Sequence, residues 1–461
     1  MTRPDKKRPV RRKKLDPARQ AAFDVLRAVS ERDAYANLAL PALLRERGIS
    51  GLDAAFATEL TYGTCRARGL LDAVIVAAAG RPADRIDPVL LDLLRLGAYQ
   101  VLRTRVDDHA AVSTTVEQAG LEFDTARAGF VNGVLRTIAR RDEASWVAEL
   151  VPPVATDPVG HLAFVHAHPR WVAQSFADAL GARAGELRDL LASDDSRPEV
   201  HLVARPGALT AEELAAQVGG TVGRFSPYAV YLGEGDPGEL TAVRDGNALV
   251  QDEGSQLVAR ALTQAPLDGA DGGRWLDLCA GPGGKAALLG ALGQSVGASV
   301  TAVEPAPRRA ELVEQNTAGL PVEVVRVDGR EPGLDPGFDR VLVDAPCTGL
   351  GALRRRPEAR WRRQPGDVPQ LAKLQRELLA SAIRLTRPGG VVVYATCSPH
   401  LAETTGVVAD ALRKHPVTAL DTRELFEPAT DTGDGPSVQL WPHRHGTDAM
   451  FAAALRVDGP R

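Results

Sequence analysis

The sequence predicts three folded parts in series: an all-α helical bundle, a small α/β subdomain, and a doubly wound, Rossmann-like α/β domain. Three observations carry this reading. Apolar residues recur at helical spacing from Pro17 to Arg141, without the alternation of strands. From about Asn247, β-branched runs alternate with helical stretches, as in a mostly parallel sheet. Two of those runs, Val341-Leu342-Val343 and Val391-Val392-Val393, lack polar alternation and read as strands buried on both faces.

Composition sets bounds. A chain of 461 residues is too long for one ordinary core. No apolar run reaches about 18 residues, so no membrane span is expected. The basic N-terminus lacks the apolar stretch of a secretory signal. Cys65, Cys279, Cys347 and Cys397 are widely spread, with no CxxC pair; this argues against a disulfide scaffold or zinc cluster and fits a reducing cytoplasm. The histidines form no ligand set with them, and no metal is expected.

Residues 1–16 are expected to be a disordered tail. Eight Lys and Arg residues face only Asp5 in its first 14 residues, which suits either a solubilising extension or a phosphate-binding arm. Residues 17–143 read as the bundle, with Ala22, Val25, Leu26 and Val29 on one face and Asp87-Pro88 opening a helix. Residues 144–167 read as a linker, patternless from Ala144 to Thr156. Residues 168–246 read as the small α/β subdomain: a helix ending near Ala192, strands Val200–Arg205 and Ala229–Leu232, and a helix from Thr210 to Val218 that Thr210 caps. Residues 247–461 read as the main domain. Its strands are expected at Trp275–Cys279, Val300–Glu304, Val322–Val327, Arg340–Val343 and Val391–Thr396, with a closing pair at Val438–Trp441 and Met450–Val457.

The bundle carries a resemblance. The runs LLRLGAYQVL (93–102), HAAV (109–112) and GFVNGVLR (129–136) are similar to the NusB-like RNA-binding domain. That likeness implies RNA binding through basic side chains such as Arg95, Arg103, Arg136, Arg140 and Arg141.

The main domain carries the chemistry. Asp277 to Lys285, DLCAGPGGK, follows a strand and opens a helix. Its glycines allow close backbone approach, and the helix N-terminus offers unpaired N–H groups. It matches neither the dinucleotide fingerprint nor the phosphate loop. Glu304 and Asp328 end the next two strands, where carboxylates accept from ribose hydroxyls and an adenine amine, or else cap turns. A glycine turn and two acids on consecutive strands suit a nucleoside cofactor without pyrophosphate, such as S-adenosyl-L-methionine. Cys347 and Cys397 each follow a buried strand, at the end where such sheets bind ligands. They are either inert core thiols or a reactive pair. A thiolate adding at C6 of cytosine makes C5 nucleophilic toward a sulfonium methyl group. Asp344 could accept from the amino edge of that base or share a proton at N3.

DLCAGPGGK, DAPCTGLG (344–351) and YATCS (394–398) resemble the RNA cytosine-C5 methyltransferases of the RsmB/Nop2/Sun family, as do LVQDE (249–253), LRRRP (353–357) with Trp361, and LWPHRH (440–445). The resemblance implies that Cys397 is the nucleophile, that Cys347 assists product release, and that Cys279, Ala280, Gly281, Pro282, Gly283, Gly284, Lys285, Glu304, Asp328 and Asp344 line the cofactor pocket. With the NusB-like part it implies 16S ribosomal RNA as the partner, and a monomer is expected. Arg354, Arg355, Arg356 and Arg360, with Trp361 among them, read as an RNA-contacting stretch or as a solvated basic helix. Transfer RNA as substrate, or a non-catalytic RNA-binding factor, are the competing readings.

Overall fold

The computed structural model describes residues 16–233 and 235–459, so the basic tail lies almost wholly outside the described residues. The described chain forms two compact units, the first running to Pro169 and taking in Arg356–Glu358, the second spanning Arg170–Arg355 and the chain from Ala359.

The first unit is all helical. Six helices, Pro17–Arg32, Ala36–Arg47, Gly51–Ala79, Pro88–Arg103, Asp108–Glu122 and Thr125–Ile138, bury one face each. Phe23, Leu60, Leu71, Leu93, Leu94, Val131 and Leu135 meet in the core. Asp87 caps its helix by accepting from Val89 N and Leu90 N, and Pro88 occupies the first turn, where a missing N–H costs nothing. The expected linker is helical in part: Glu143–Leu150 and Pro158–Val165 are short helices. Asp142 and Asp157 cap them, and the roughly two turns that eight residues provide are too short to show periodicity. Arg95 does not face solvent. It pairs with Asp72 at 2.6 Å and Asp92 at 2.7 Å, whereas Arg136 and Arg140 are exposed.

The second unit holds two sheets. The small one is antiparallel, in the order β2-β3-β1-β4, with β1 Val200–Ala204, β2 Thr221–Val222, β3 Ala229–Leu232 and β4 Ala248–Val250. Thr210 makes a reciprocal capping box with Glu213 on the helix Ala211–Val218. The helix expected to reach Ala192 is broken: Arg170–Leu180 stops at Gly181, whose φ of 55° leaves the helical region, and Leu187–Asp195 resumes after a 3-10 stretch. Ala248–Val250, expected to lead directly into a helix, first makes this sheet's edge.

The large sheet comprises β5 Arg274–Asp277, β6 Ser299–Val303, β7 Val322–Val325, β8 Phe338–Asp344, β9 Thr386–Thr396, β10 Val417–Ala419, β11 Val438–Gln439 and β12 Phe451–Val457. Its order is β10-β12-β9-β8-β5-β6-β7, with β11 also on β12. The β5 to β9 pairings are parallel, and β12 runs antiparallel to β9. Successive β9 side chains feed opposite layers: Val391, Val393 and Ala395 pack with Leu257 and Leu262, while Val392 and Tyr394 pack with Leu378 and Leu379. β9 begins five residues before its expected start. A register irregularity between Phe338 and Arg340 accommodates Pro388-Gly389-Gly390 within the strand. Strand order reverses between β5 and β8, so the carboxyl ends of β5, β6, β8 and β9 share one edge.

Candidate active site

The glycine turn follows β5. Gly283 has φ 111°, and a Cβ there would stand 2.9 Å from Val313 Cα. A Cβ on Gly281 would stand 2.1 Å from Glu304 Oε2. Only glycine lets the backbone lie against that carboxylate. Arg309 Nη2 donates to Gly281 O at 2.5 Å and Asn316 Nδ2 to Pro282 O at 2.9 Å, which hold the turn open at the start of the helix Gly284–Val296. Glu304 is buried; Oε1 accepts from Ala306 N at 2.9 Å and Oε2 faces Arg309 Nε at 3.4 Å. Asp328 sits beyond β7 and is clasped by Arg330, which donates to it through Nη2 at 2.6 Å. Those hydrogen bonds hold its carboxyl below the usual range.

Sequence reasoning quoted Asp277 but gave it no role. It is buried at the end of β5, with Oδ1 accepting from Cys279 N at 3.3 Å and Oδ2 buried without a hydrogen-bond partner. Burial, then the charge of Asp344, pushes its carboxyl up to about 7. The neighbouring Cys279 thiol is raised well above its ordinary value, by burial first and then by Asp277. It is a neutral thiol at the start of the glycine turn.

Cys347 and Cys397 meet. Asp344 and Ala395 are paired in the parallel ladder of β8 and β9. The two cysteines lie three and two residues beyond that pair, and their Sγ atoms are 3.5 Å apart. Gly351 N donates to Cys397 O at 2.9 Å, which ties the loop after Cys347 to the second thiol. The Cys347 thiol is raised well above its ordinary value, first by its hydrogen bond with Cys397, then by burial and by the negative charges of Cys397 and Glu403. Either sulfur can be the donor in this contact, and the shift favours the protonated form of Cys347. Lys285 Nζ binds Asp344 Oδ2 at 2.7 Å and Ser255 Oγ at 3.3 Å. Asp344 and the charge of Cys397 both favour its ammonium form, against the cost of burial. Lys285 thus joins the glycine turn to Asp344 at the end of β8, next to the loop that carries Cys347.

The arginine stretch is another matter. Arg354 is buried and donates to Gly446 O. Arg355 pairs with Asp252 at 2.9 Å and Asp448 at 3.0 Å. Arg360 is fully buried, with Nη1 on Asp195 at 3.0 Å and Nη2 on Asp194 O at 2.7 Å. Trp361 is half-buried with its Nε1 out of solvent. The expected RNA contacts of Arg354, Arg355 and Arg360 are corrected on this ground: carboxylates and carbonyls of the chain already take their guanidinium groups, and Arg356 is the exposed one of the set. Among the described residues no cluster of three or more His, Cys, Asp or Glu could hold a metal, and no helix is long and apolar enough to cross a membrane.

Residues 264–456 match the model of the family described as 16S rRNA methyltransferase RsmB/F, and residues 16–140 match the NusB family. The ribosomal RNA small subunit methyltransferase B of Enterobacter sp. (strain 638) is 32% identical over 454 residues, 96% of this chain and 99% of its own. This chain belongs to the RsmB/F family. Rv1407 of Mycobacterium tuberculosis is 78% identical over 447 residues, 97% of this chain and 98% of its own. Among solved structures, PH0851 shares the fold with a TM-score of 0.80 at 23% identity, covering 96% of this chain and 98% of that one. In an RsmB/F methyltransferase the helical unit is its NusB-like region, and the glycine turn and paired thiols belong to the methyltransferase domain.

Proposed function

We propose that the chain methylates C5 of a cytosine in 16S ribosomal RNA, using S-adenosyl-L-methionine and a covalent bond from Cys397 to C6. The observation that carries this is the 3.5 Å pair of thiols beside a lysine that also borders the glycine turn. The residues fit the cofactor: a tight glycine turn whose backbone lies against Glu304 and Val313 with no room for a Cβ at Gly281 or Gly283, a buried acid at Glu304, and the orphaned Oδ2 of Asp277. Cys279 to Lys285, Glu304 and Asp328 would hold it, with Asp328 released from Arg330. When bound it supplies an electrophilic methyl group.

The chain's own groups do the rest. The Lys285 ammonium and the Cys347 S–H stabilise a thiolate at Cys397, which the attack on C6 requires. The electron pair that enters the ring at C6 emerges at C5, where the methyl is taken. Asp344, half-exposed at the end of β8, accepts from the amino edge of the base. Once Cys397 is bonded to carbon, both its hydrogen bond with Cys347 and its negative charge are lost, the first and third of the causes that raise Cys347, while burial remains. Cys347 then gives its S–H proton to solvent and, as a thiolate, takes the C5 proton. The C5–H electrons re-form the C5–C6 double bond, and the Cys397–C6 pair leaves with Cys397 as its thiolate. The RNA must present an unstacked cytosine. The RNA partner named for the RsmB/F relatives supports 16S ribosomal RNA over transfer RNA, and the two thiol motifs speak against a purely RNA-binding factor.

Incubating RNA and cofactor with wild type, Cys347→Ala and Cys397→Ala, then resolving covalent adducts on denaturing gels, tests the reading. A lasting adduct on Cys347→Ala and none on Cys397→Ala is expected. The reverse pattern would exchange the two roles.

A further inference from the structure

The two thiols sit on loops, not on the strands themselves, so something must fix their separation. One side chain is bonded to both loops. Glu403 is fully buried, and its carboxylate accepts from Thr348 N at 2.8 Å, Thr348 Oγ1, Ser398 Oγ at 2.7 Å and Gln375 Nε2 at 3.0 Å. Thr348 directly follows Cys347, and Ser398 directly follows Cys397. Thr348 Oγ1 and Ser398 Oγ also touch at 3.0 Å. Gln375 ties in the same loop again by donating to Pro346 O at 2.9 Å, on the other side of Cys347. Glu403 is itself held: Tyr394 OH, on β9, donates to its backbone carbonyl at 2.6 Å, and its N–H reaches His400 O at 2.8 Å.

A carboxylate with four neutral donors is a rigid anchor, because each oxygen is saturated and water has no access. A buried acid placed only for packing would need no such symmetry about two reactive residues. We propose that Glu403 is a positioning residue that fastens the loops behind Cys347 and Cys397 to one point and so sets the distance between the two sulfur atoms. It touches neither substrate nor cofactor. Its effect passes through Thr348 and Ser398. The inference rests on the catalytic reading above for its purpose, though not for its geometry.

The test separates the two. Hydrogen peroxide at low concentration oxidises two adjacent thiols to a disulfide, with two thiol protons and the peroxide leaving as two water molecules, and needs no RNA. In the full chain, the rate of Cys347–Cys397 cross-linking is read by peptide mass after digestion. Glu403→Gln keeps shape but puts an N–H₂ against donors. Thr348→Val removes the hydroxyl tie of the first loop but keeps its backbone N–H on the carboxylate, Ser398→Ala removes the side-chain tie of the second loop, and both leave the carboxylate in place. All three are expected to slow cross-linking about tenfold or more, and to slow RNA adduct formation up to about 10²-fold, as a misplacement near 1 Å does. Affinity for S-adenosyl-L-methionine should stay within about twofold, since the glycine turn is untouched; a merely structural loss would move it as well. Wild-type cross-linking rates in folded Glu403→Gln and in both single-loop variants would overturn the inference. Failure of the wild type to form any RNA adduct, with cross-linking still dependent on Glu403, would overturn the catalytic reading and leave the positioning role standing.

Discussion

Asp277 shows how one atom's surroundings set a residue's chemistry. A carboxyl with one oxygen buried and unpartnered holds its proton up to about 7, where an unfolded chain releases it near 3.8. The folded state binds the extra proton between those values, so stability contributed by this group falls as pH rises through that window. Asp277→Asn has no proton to lose. Its stability relative to wild type should rise between pH 4 and pH 7 and level off above, measured as the difference in denaturant midpoints. A difference that does not change with pH would mean that Asp277 is ionised throughout. This residue lay in plain view within DLCAGPGGK, but burial of a single oxygen leaves no mark on sequence. Glu403 was equally visible and equally mute, because the partners that define it come from three separate stretches of chain. Cys347 and Cys397 were legible for the opposite reason: each ends a recognisable buried strand, and parallel neighbours put such ends side by side.

Elements were read well where their signal is local. Thr210 and Asp87 cap helices in the way their side chains dictate, and the β-branched runs of β8 and β9 form adjacent parallel strands. Short elements escaped: the helices at Glu143–Leu150 and Pro158–Val165 and the three-residue strand β10 are below the length at which a period can be seen. The arginine stretch failed for another cause. A run of like charges normally means a solvated face, yet the four-residue helix Ala359–Arg362 turns Arg360 inward onto Asp195, whose position along the chain gives no hint of the pairing. Breaking a buried pair from one side costs about 3–5 kcal/mol. Arg360→Ala should therefore lower unfolding free energy by about 3 kcal/mol, while the slope of RNA affinity against salt stays as in wild type. A shallower slope with unchanged stability would return Arg360 to the phosphate contacts.

At the scale of the whole chain, two folded units share one sequence, and the second carries every group of the candidate site. The site is assembled from the carboxyl ends of β5, β6, β8 and β9, so its parts are far apart in sequence and adjacent because strand order reverses between β5 and β8. Fold class and glycine turn follow from patterns along the chain. The Lys285–Asp344 pair, the contact between thiols and the clamp behind them follow from topology, which no stretch of sequence displays alone. The central claim is that of two thiols in contact, the one at the end of β9 bonds to the base. RNA containing 5-fluorocytidine cannot lose its C5 substituent as a proton and so holds the enzyme at the covalent stage. Peptide mass mapping of that trapped wild-type complex should find the nucleotide on the peptide that carries Cys397; finding it on the peptide that carries Cys347, or on neither, would contradict the account.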